Sequence, residues 1–222
     1  MAGKTLGRWT LVVHGGAGAM RSMGAVKEDA YRAGLVASLR VGGALLAAGG
    51  SAKDAAVAAV VAMERSGAFN AGRGSCLNEK GKFEADAAVM NGADLSIGAV
   101  GAVPGVVNGV ELAERIRSDS PHCLLAGVEA LEFARKQAGF QLELAQPSAD
   151  RMARWETLKK QRQNVVQSAE ALTDLGGTHD DGDTVGAVAL DNHGGLAVAV
   201  STGGLWLKTS GRVGDSPLPG AG

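Results

Sequence analysis

Residues 182–191 (GDTVGAVALD) decide the expected organisation of the chain. They follow a polar run and change at Thr184 into the continuous apolar pattern of a buried strand. If the bond after Asp183 is cut, Thr184 becomes a new N-terminus that carries both a hydroxyl nucleophile and an α-amine base. On this stretch alone an ordinary strand start is the favoured interpretation, because threonine is common in strands.

The chemical argument for a threonine nucleophile rests on the pKa of the freed amine. An α-amine has a pKa of about 7.7–8.0, so part of it is unprotonated at neutral pH and can accept the hydroxyl proton. The β-methyl group of threonine restricts χ1 and limits the orientations of the hydroxyl. Thr184 is therefore the candidate nucleophile, and the bond between Asp183 and Thr184 is the candidate cleavage site.

Composition limits the classes of function. The chain has 222 residues, a net charge of -1 and 45% hydrophobic residues, which is enough for one sizeable core and gives no reason to expect nucleic acid or a membrane surface as a partner. Two cysteines, Cys76 and Cys123, form no disulfide framework or CxxC metal site. Neither a secretory signal nor a membrane-spanning run is recognisable, so we expect a cytoplasmic protein.

Periodicity and turn signals predict alternating helices and strands. We expect strands at 9–13, 82–90, 95–103, 184–190 and 196–200, and helices at 25–48, 52–64, 108–117 and about 121–139. The abundant glycine and alanine favour closely packed layers. Residues 141–183 are rich in charged and amide side chains, and we expect an exposed, mobile linker with a helix near 153–170.

Three features of the chain bear on a candidate site. A hairpin over 184–200 would bring Thr202 close to Thr184. Arg212 and Asp215 fit either a surface ion pair or a clamp for a substrate that carries both a carboxylate and an ammonium group. The glycine-rich loop at 66–75 fits a plain connection, or a backbone that points carbonyl oxygens at a hard cation.

Five segments in chain order resemble the plant-type L-asparaginase and isoaspartyl aminopeptidase family. They are residues 14–18 (HGGAG), 69–74 (FNAGRG), 183–191 (DTVGAVALD), 201–204 (STGG) and 211–217 (GRVGDSP). Members of this family are N-terminal-nucleophile (Ntn) hydrolases. The resemblance implies an α/β (α+β) fold, a four-layer αββα sandwich of the Ntn-hydrolase type.

The resemblance also implies roles for individual residues. Thr184 would be the nucleophile, released by self-cleavage after Asp183, with Thr202 assisting at the reacting hydroxyl and Asn70 supporting the nucleophile region. Substrate would be bound by Arg212 at its α-carboxylate, by Asp215 at its α-ammonium, and at Gly204. No cofactor is implied for the chemistry. A structural sodium ion is implied on backbone carbonyls of Met63, Glu64, Ser66, Phe69, Ala71 and Arg73.

The implied activity is hydrolysis of L-asparagine or of N-terminal isoaspartyl (β-aspartyl) peptides through a threonine acyl-enzyme, in a homodimer of cleaved protomers. Residues 1–183 would be the α-subunit portion and 184–222 the start of the β-subunit portion. The family pattern continues past Gly222, so we expect a C-terminally incomplete chain. Because Asp183 stands where many members have glycine, glycosylasparaginase and taspase-like threonine proteases are alternatives. The incomplete C-terminal part leaves a non-catalytic fragment or pseudoenzyme as a further alternative.

Overall fold

The computed structural model describes residues 8–17, 24–167 and 184–222. Six strands form one sheet in the order β1-β5-β6-β2-β3-β4. The strands are β1 (Thr10–His14), β2 (Glu84–Asn91), β3 (Ile97–Pro104), β4 (Leu124–Ala126), β5 (Val185–Leu190) and β6 (Leu196–Thr202). The α-helices are α1 (Ala25–Ala47), α2 (Ala52–Ser66), α3 (Gly109–Asp119), α4 (Gly127–Lys136) and α5 (Ala149–Gln167). The sheet is mixed, because β3 and β4 are parallel and the other neighbours are antiparallel.

Helices α1, α2 and α3 cover one face of the sheet, and small residues set how closely they pack. A Cβ added to Gly42 would lie 2.9 Å from the carbonyl oxygen of Ala55, and the hydroxyl of Ser38 donates to the carbonyl of Ala59 at 2.9 Å. These contacts bring the backbones of α1 and α2 together, as the glycine- and alanine-rich composition predicts. The expected α+β class is confirmed.

The two faces of the sheet differ in what covers them. Ala85, Ala87 and Val89 of β2 face the helices and are fully or almost fully buried. On the opposite face, Val188 and Leu196 are 45% and 52% exposed. Side chains alternate between faces along a strand, so each of β2, β5 and β6 contributes one set of residues to the core and another to the opposite face.

The hairpin between β5 and β6 is attached to the start of α2 by Asp191. Its carboxylate accepts hydrogen bonds from the amide of Ala52 at 3.0 Å and, within the turn, from the amides of His193 and Gly195 at 2.9 and 2.8 Å. The amide of Ala52 is the largest cause that holds the pKa of Asp191 below its ordinary value. Asp191 thus fixes both the turn and its position against the helix.

We expect Asp191→Asn to destabilise the protein at pH 7 by about 1–3 kcal/mol, because amides that donate to a charged group lose that partner. The pKa of Asp191 is lower in the folded state, so its contribution is present above the unfolded pKa of about 3.9 and is lost as pH falls through the folded pKa. Urea unfolding at pH 7 and near pH 3 checks this. The difference from wild type should shrink at low pH. Asp29→Asn, at an exposed site, should show no such convergence.

One expected helix begins differently in the structure. The apolar residues Leu124 and Leu125, expected in a helix at 121–139, form β4 and pair in parallel with Ala99 and Val100 of β3. The helix itself starts at Gly127, whose φ of 63° breaks the chain direction. The prediction for these residues was wrong because a three-residue strand depends on a distant partner and has no local period.

The polar segment at 141–183 is more structured than its composition indicated. Helix α5 overlaps the expected helix at 153–170, and it contacts the rest of the domain through Trp155, whose indole donates to the carbonyl of Asn78 at 2.8 Å. Leu158 is 5% exposed. A few apolar residues on one helix face are sufficient for this packing. Residues 168–183, with the predicted cleavage position at Asp183, lie outside the described residues.

Candidate active site

A row of polar side chains crosses three neighbouring strands on the sheet face opposite the helices. Asp86 of β2 pairs with Thr202 of β6, and Val185 of β5 pairs with Ser201. Thr184 precedes Val185 and therefore lies opposite Thr202. Directly opposed residues in antiparallel strands have Cβ atoms about 4.5–5.5 Å apart. The structure thus brings Thr184 and Thr202 together, with Asp86 beside them.

The hydroxyl of Thr184 has a neighbour that was not predicted as a site residue. Its Oγ1 lies 3.1 Å from Oγ of Ser216, and either oxygen can be the donor. Ser216 is 1% exposed, whereas Thr184 is partly exposed. The only signal in the sequence was the position of Ser216 within the 211–217 motif.

Asn70 connects the glycine-rich loop to the turn after Thr202. Its Nδ2 donates to the carbonyl of Gly204 at 2.7 Å and lies 3.5 Å from Oγ1 of Thr202, which in turn accepts from the amide of Gly204 at 3.1 Å. Its Oδ1 accepts from the amide of Cys76 at 2.8 Å. Asn70 is 2% exposed, so the whole set is shielded from water. Asn70 therefore fixes the backbone of Gly204 beside the hydroxyl of Thr202.

The two residues of the expected clamp are both exposed. Among the described residues, no salt bridge joins Arg212 to Asp215. A Cβ added to Gly214 would lie 3.1 Å from Nη1 of Arg212 and 3.5 Å from Oδ2 of Asp86. The guanidinium is therefore close to the row of polar side chains, where an anionic group of a ligand can reach it.

A buried lysine lies between the turn and β2. The side chain of Lys208 is 0% exposed, and its Nζ donates to the carbonyl of Glu84 at 3.2 Å and lies 3.8 Å from Oε2 of the same residue. Burial lowers the pKa of Lys208, while the carboxylates of Asp86 and Glu84 act in the opposite direction. A Cβ added to Gly204 would lie 3.0 Å from Nζ. Lys208 was not predicted as a site residue, and the one signal for it was a charge directly after the apolar run at 205–207.

Another buried carboxyl group lies behind the row, on the helix side of the sheet. Oε1 of Glu64 accepts from the hydroxyl of Ser201 at 2.6 Å and from the amide of Val110 at 3.0 Å. Burial raises the pKa of Glu64 to about 8, and both contacts suit a protonated acid that accepts through its carbonyl oxygen. Ser201, the neighbour of Thr202, is thereby held from the core side.

The loop expected to hold sodium is tightly wound. A Cβ added to Gly72 would lie 2.4 Å from the carbonyl oxygen of Glu64, and one added to Gly74 would lie 2.0 Å from that of Phe69. The carbonyls of Met63 and Phe69 each accept one internal hydrogen bond, which leaves a second lone pair on each. Carbonyl oxygens are ligands that a hard cation accepts, so the donor set fits the ion. The other expected ligands are Ser66, Ala71 and Arg73.

Comparisons with known proteins point to one family. Residues 7–222 match the profile of the asparaginase family. A plant-type L-asparaginase of Pyrobaculum calidifontis is 44% identical over 222 residues, which covers 96% of this chain and 69% of that protein. Isoaspartyl peptidase/L-asparaginases of mouse and human are 41% and 40% identical over 212 residues, covering 96% of this chain and 62% and 66% of those proteins.

The chain spans about two thirds of the length of the curated relatives it matches. Within residues 8–17, 24–167 and 184–222, no helix is long and apolar enough to cross a bilayer, and no group of three or more His, Cys, Asp or Glu side chains is arranged to hold a metal ion.

Proposed function

The chain belongs to the asparaginase family, and on that premise we propose that it is a self-cleaving amidohydrolase that acts on L-asparagine or on β-aspartyl peptides. The observation that carries the proposal is the position of Thr184. Its hydroxyl lies at the start of β5, opposite Thr202, within 3.1 Å of the Ser216 hydroxyl and next to a sequence segment that could be cut. The similar proteins are named as L-asparaginase and as isoaspartyl peptidase/L-asparaginase.

Self-cleavage would begin with attack of the Thr184 hydroxyl on the carbonyl carbon of Asp183. The peptide bond is replaced by an ester, and the nitrogen of Thr184 leaves as an amine. Water then hydrolyses the ester and frees both the hydroxyl and the α-amine. The freed amine is the base that the substrate reaction needs.

Substrate hydrolysis would use the same oxygen. The α-amine accepts the proton of the Thr184 hydroxyl, which attacks the side-chain amide carbon of the substrate; ammonia or a peptide leaves, and water hydrolyses the aspartyl ester. Thr202 supplies a hydroxyl beside the reacting oxygen. Exposed Arg212 would form a bidentate contact with the α-carboxylate, and Asp215 would accept from the α-ammonium.

The carbonyl oxygens of the loop at 63–73 would hold a sodium ion, which supplies a fixed charge that orders this backbone and takes no part in the chemistry. Asn70 lies in the same loop, so an ordered loop helps to hold Gly204. Cleaved protomers would assemble as a homodimer.

The test starts with the intact mass of purified wild-type protein during incubation at neutral pH. We expect two fragments that add up to the whole chain plus one water, the smaller beginning at Thr184. The cleaved protein should release ammonia from L-asparagine and aspartate from a β-aspartyl dipeptide. N-terminal sequencing of the small fragment identifies the bond that was cut.

Other outcomes select the alternatives. Release of aspartate from a glycosylated asparagine, with no activity on asparagine, would favour a glycosylasparaginase. Cleavage of a longer peptide at an internal aspartate would favour a taspase-like protease. A chain that stays whole and releases neither product would contradict the proposal and favour a non-catalytic protein.

A further inference from the structure

Two carboxylates of β2 hold the loop that carries Arg212. Glu84 and Asp86 are two residues apart on one strand and therefore share a face, opposite the core residue Ala85. They are 6% and 0% exposed. Burying a carboxylate costs free energy unless its oxygens accept hydrogen bonds. The donors that Glu84 and Asp86 accept from therefore show which segments these carboxylates stabilise.

Glu84 binds the loop on the N-terminal side of Arg212. Its Oε1 accepts from the hydroxyl of Ser210 at 2.9 Å, and its two oxygens lie 3.2 and 3.1 Å from the amide nitrogen of Gly211. The ammonium of Lys208 donates to the carbonyl of Glu84. The residue that precedes Arg212 is therefore held to β2 through its own backbone.

Asp86 binds the loop on the C-terminal side of Arg212. Its Oδ2 accepts from the amide of Gly214 at 2.8 Å, and its Oδ1 accepts from the amide of Ala102 at 2.7 Å. A register shift between β2 and β3 lies at this point, and Ala102 has a φ of 48°. The bulge turns an amide of β3 away from the strand ladder and toward the carboxylate.

We propose that Glu84 is a positioning residue for the substrate clamp, fixing Arg212 at a set distance from Thr184. The inference rests on the proposed function. Glu84 acts through the loop, because its carboxylate accepts from the Ser210 hydroxyl and the Gly211 amide. Asp86, two residues along β2, is directly paired with Thr202 of β6. The same strand therefore sets the places of the Thr202 hydroxyl and of the loop. Lys208 joins the two parts, since its Nζ lies against Gly204 and Glu84.

Glu84→Gln is expected to change KM far more than kcat. Glu84→Gln keeps the size of the side chain but replaces one acceptor oxygen by an amide NH2 group. This NH2 then faces another donor, the Gly211 amide or the Lys208 ammonium, so one contact becomes repulsive. We expect the KM for L-asparagine to rise about 10-fold or more, since a small misplacement of a binding group has a large effect. The kcat should change by less than about 3-fold, and the rate of self-cleavage, which needs no clamp, should stay that of wild type.

The matched control is Glu79→Gln. Glu79 is exposed and accepts from the amide of Ser210 in the same loop at 3.2 Å, so it contacts the loop without a buried charge. Its KM should stay within about 2-fold of wild type, because exposed contacts contribute little. Glu84→Asp, which keeps the charge, should restore part of the binding.

A second measurement does not depend on activity. Hydrogen exchange, followed in the Thr184→Ala background so that all chains are uncleaved, should become faster at residues 209–214 in Glu84→Gln and stay unchanged in β5 and β6. Unchanged exchange at 209–214 together with an unchanged KM would overturn the inference. Faster exchange throughout, with slower self-cleavage, would also overturn it by showing a general role in folding. Absence of hydrolysis in wild type would contradict the proposed function, and the exchange comparison would still decide whether Glu84 holds the loop.

Discussion

Thr184→Ala should remain a single chain and should hydrolyse neither L-asparagine nor a β-aspartyl dipeptide. Both proposed reactions start at the same oxygen, so its removal stops the chain from acquiring the free amine and also removes the nucleophile. We expect a loss on the order of 10⁴-fold or more in turnover, in line with hydrolases that lose their nucleophile. Intact mass after prolonged incubation and an ammonia assay measure the two effects.

The matched control for this variant is Thr184→Ser. It keeps the hydroxyl and loses only the β-methyl group, so it should still cut itself and turn over, at a lower rate, because its χ1 is less restricted. Unfolding midpoints of the alanine and serine variants should be similar, since Thr184 is only partly buried. Turnover by an alanine variant that stays whole would contradict the assignment of Thr184.

Thr202→Val should lower turnover by about 10²–10³-fold with a smaller change in KM. Valine has the shape of threonine and lacks only the hydroxyl, which lies opposite Thr184 and accepts from the amide of Gly204. A hydrogen-bond donor that acts on the reacting oxygen contributes on this scale in other hydrolases. Steady-state kinetics on protein that has been cleaved to completion separate this effect from slow maturation.

Thr202→Ser provides the comparison for the valine variant. It restores the hydroxyl and should recover most of the rate, which a purely structural role for the methyl group would not allow. The self-cleavage rate should follow the same order, with valine the slowest. Equal kinetics in the valine and serine variants would show that the hydroxyl is not used.

The hairpin that carries the candidate nucleophile was predictable because its signals are local. Apolar runs on both sides of the turn at 191–195 indicate two paired strands, and pairing places Thr202 opposite Thr184 without further information. The Ser51 cap of α2 is equally local, because its hydroxyl accepts from the amide of Asp54 three residues further along the chain. Short-range patterns were therefore sufficient to predict that Thr184 and Thr202 lie opposite each other.

The surroundings of the site were not predictable in the same way. Ser216 reaches Thr184 across 32 positions of sequence, and Glu84 meets Gly211 across 127. Contacts at such separations depend on the tertiary fold and leave no period in the sequence. The pair of acidic residues at Glu84 and Asp86, on one face of an apolar strand, was nevertheless a usable sign, since buried carboxylates require partners.

The direction in which Thr184 points is decided at the far end of its own strand. If β5 slipped by one residue against β6, every side chain along it would change sides, and the threonine oxygen would turn toward the helices. The carboxylate of Asp191 prevents such a slip by holding its turn and the first amide of α2 at once. Insertions or deletions in this turn should therefore abolish the proposed activity from a distance, and loop grafting is best directed elsewhere.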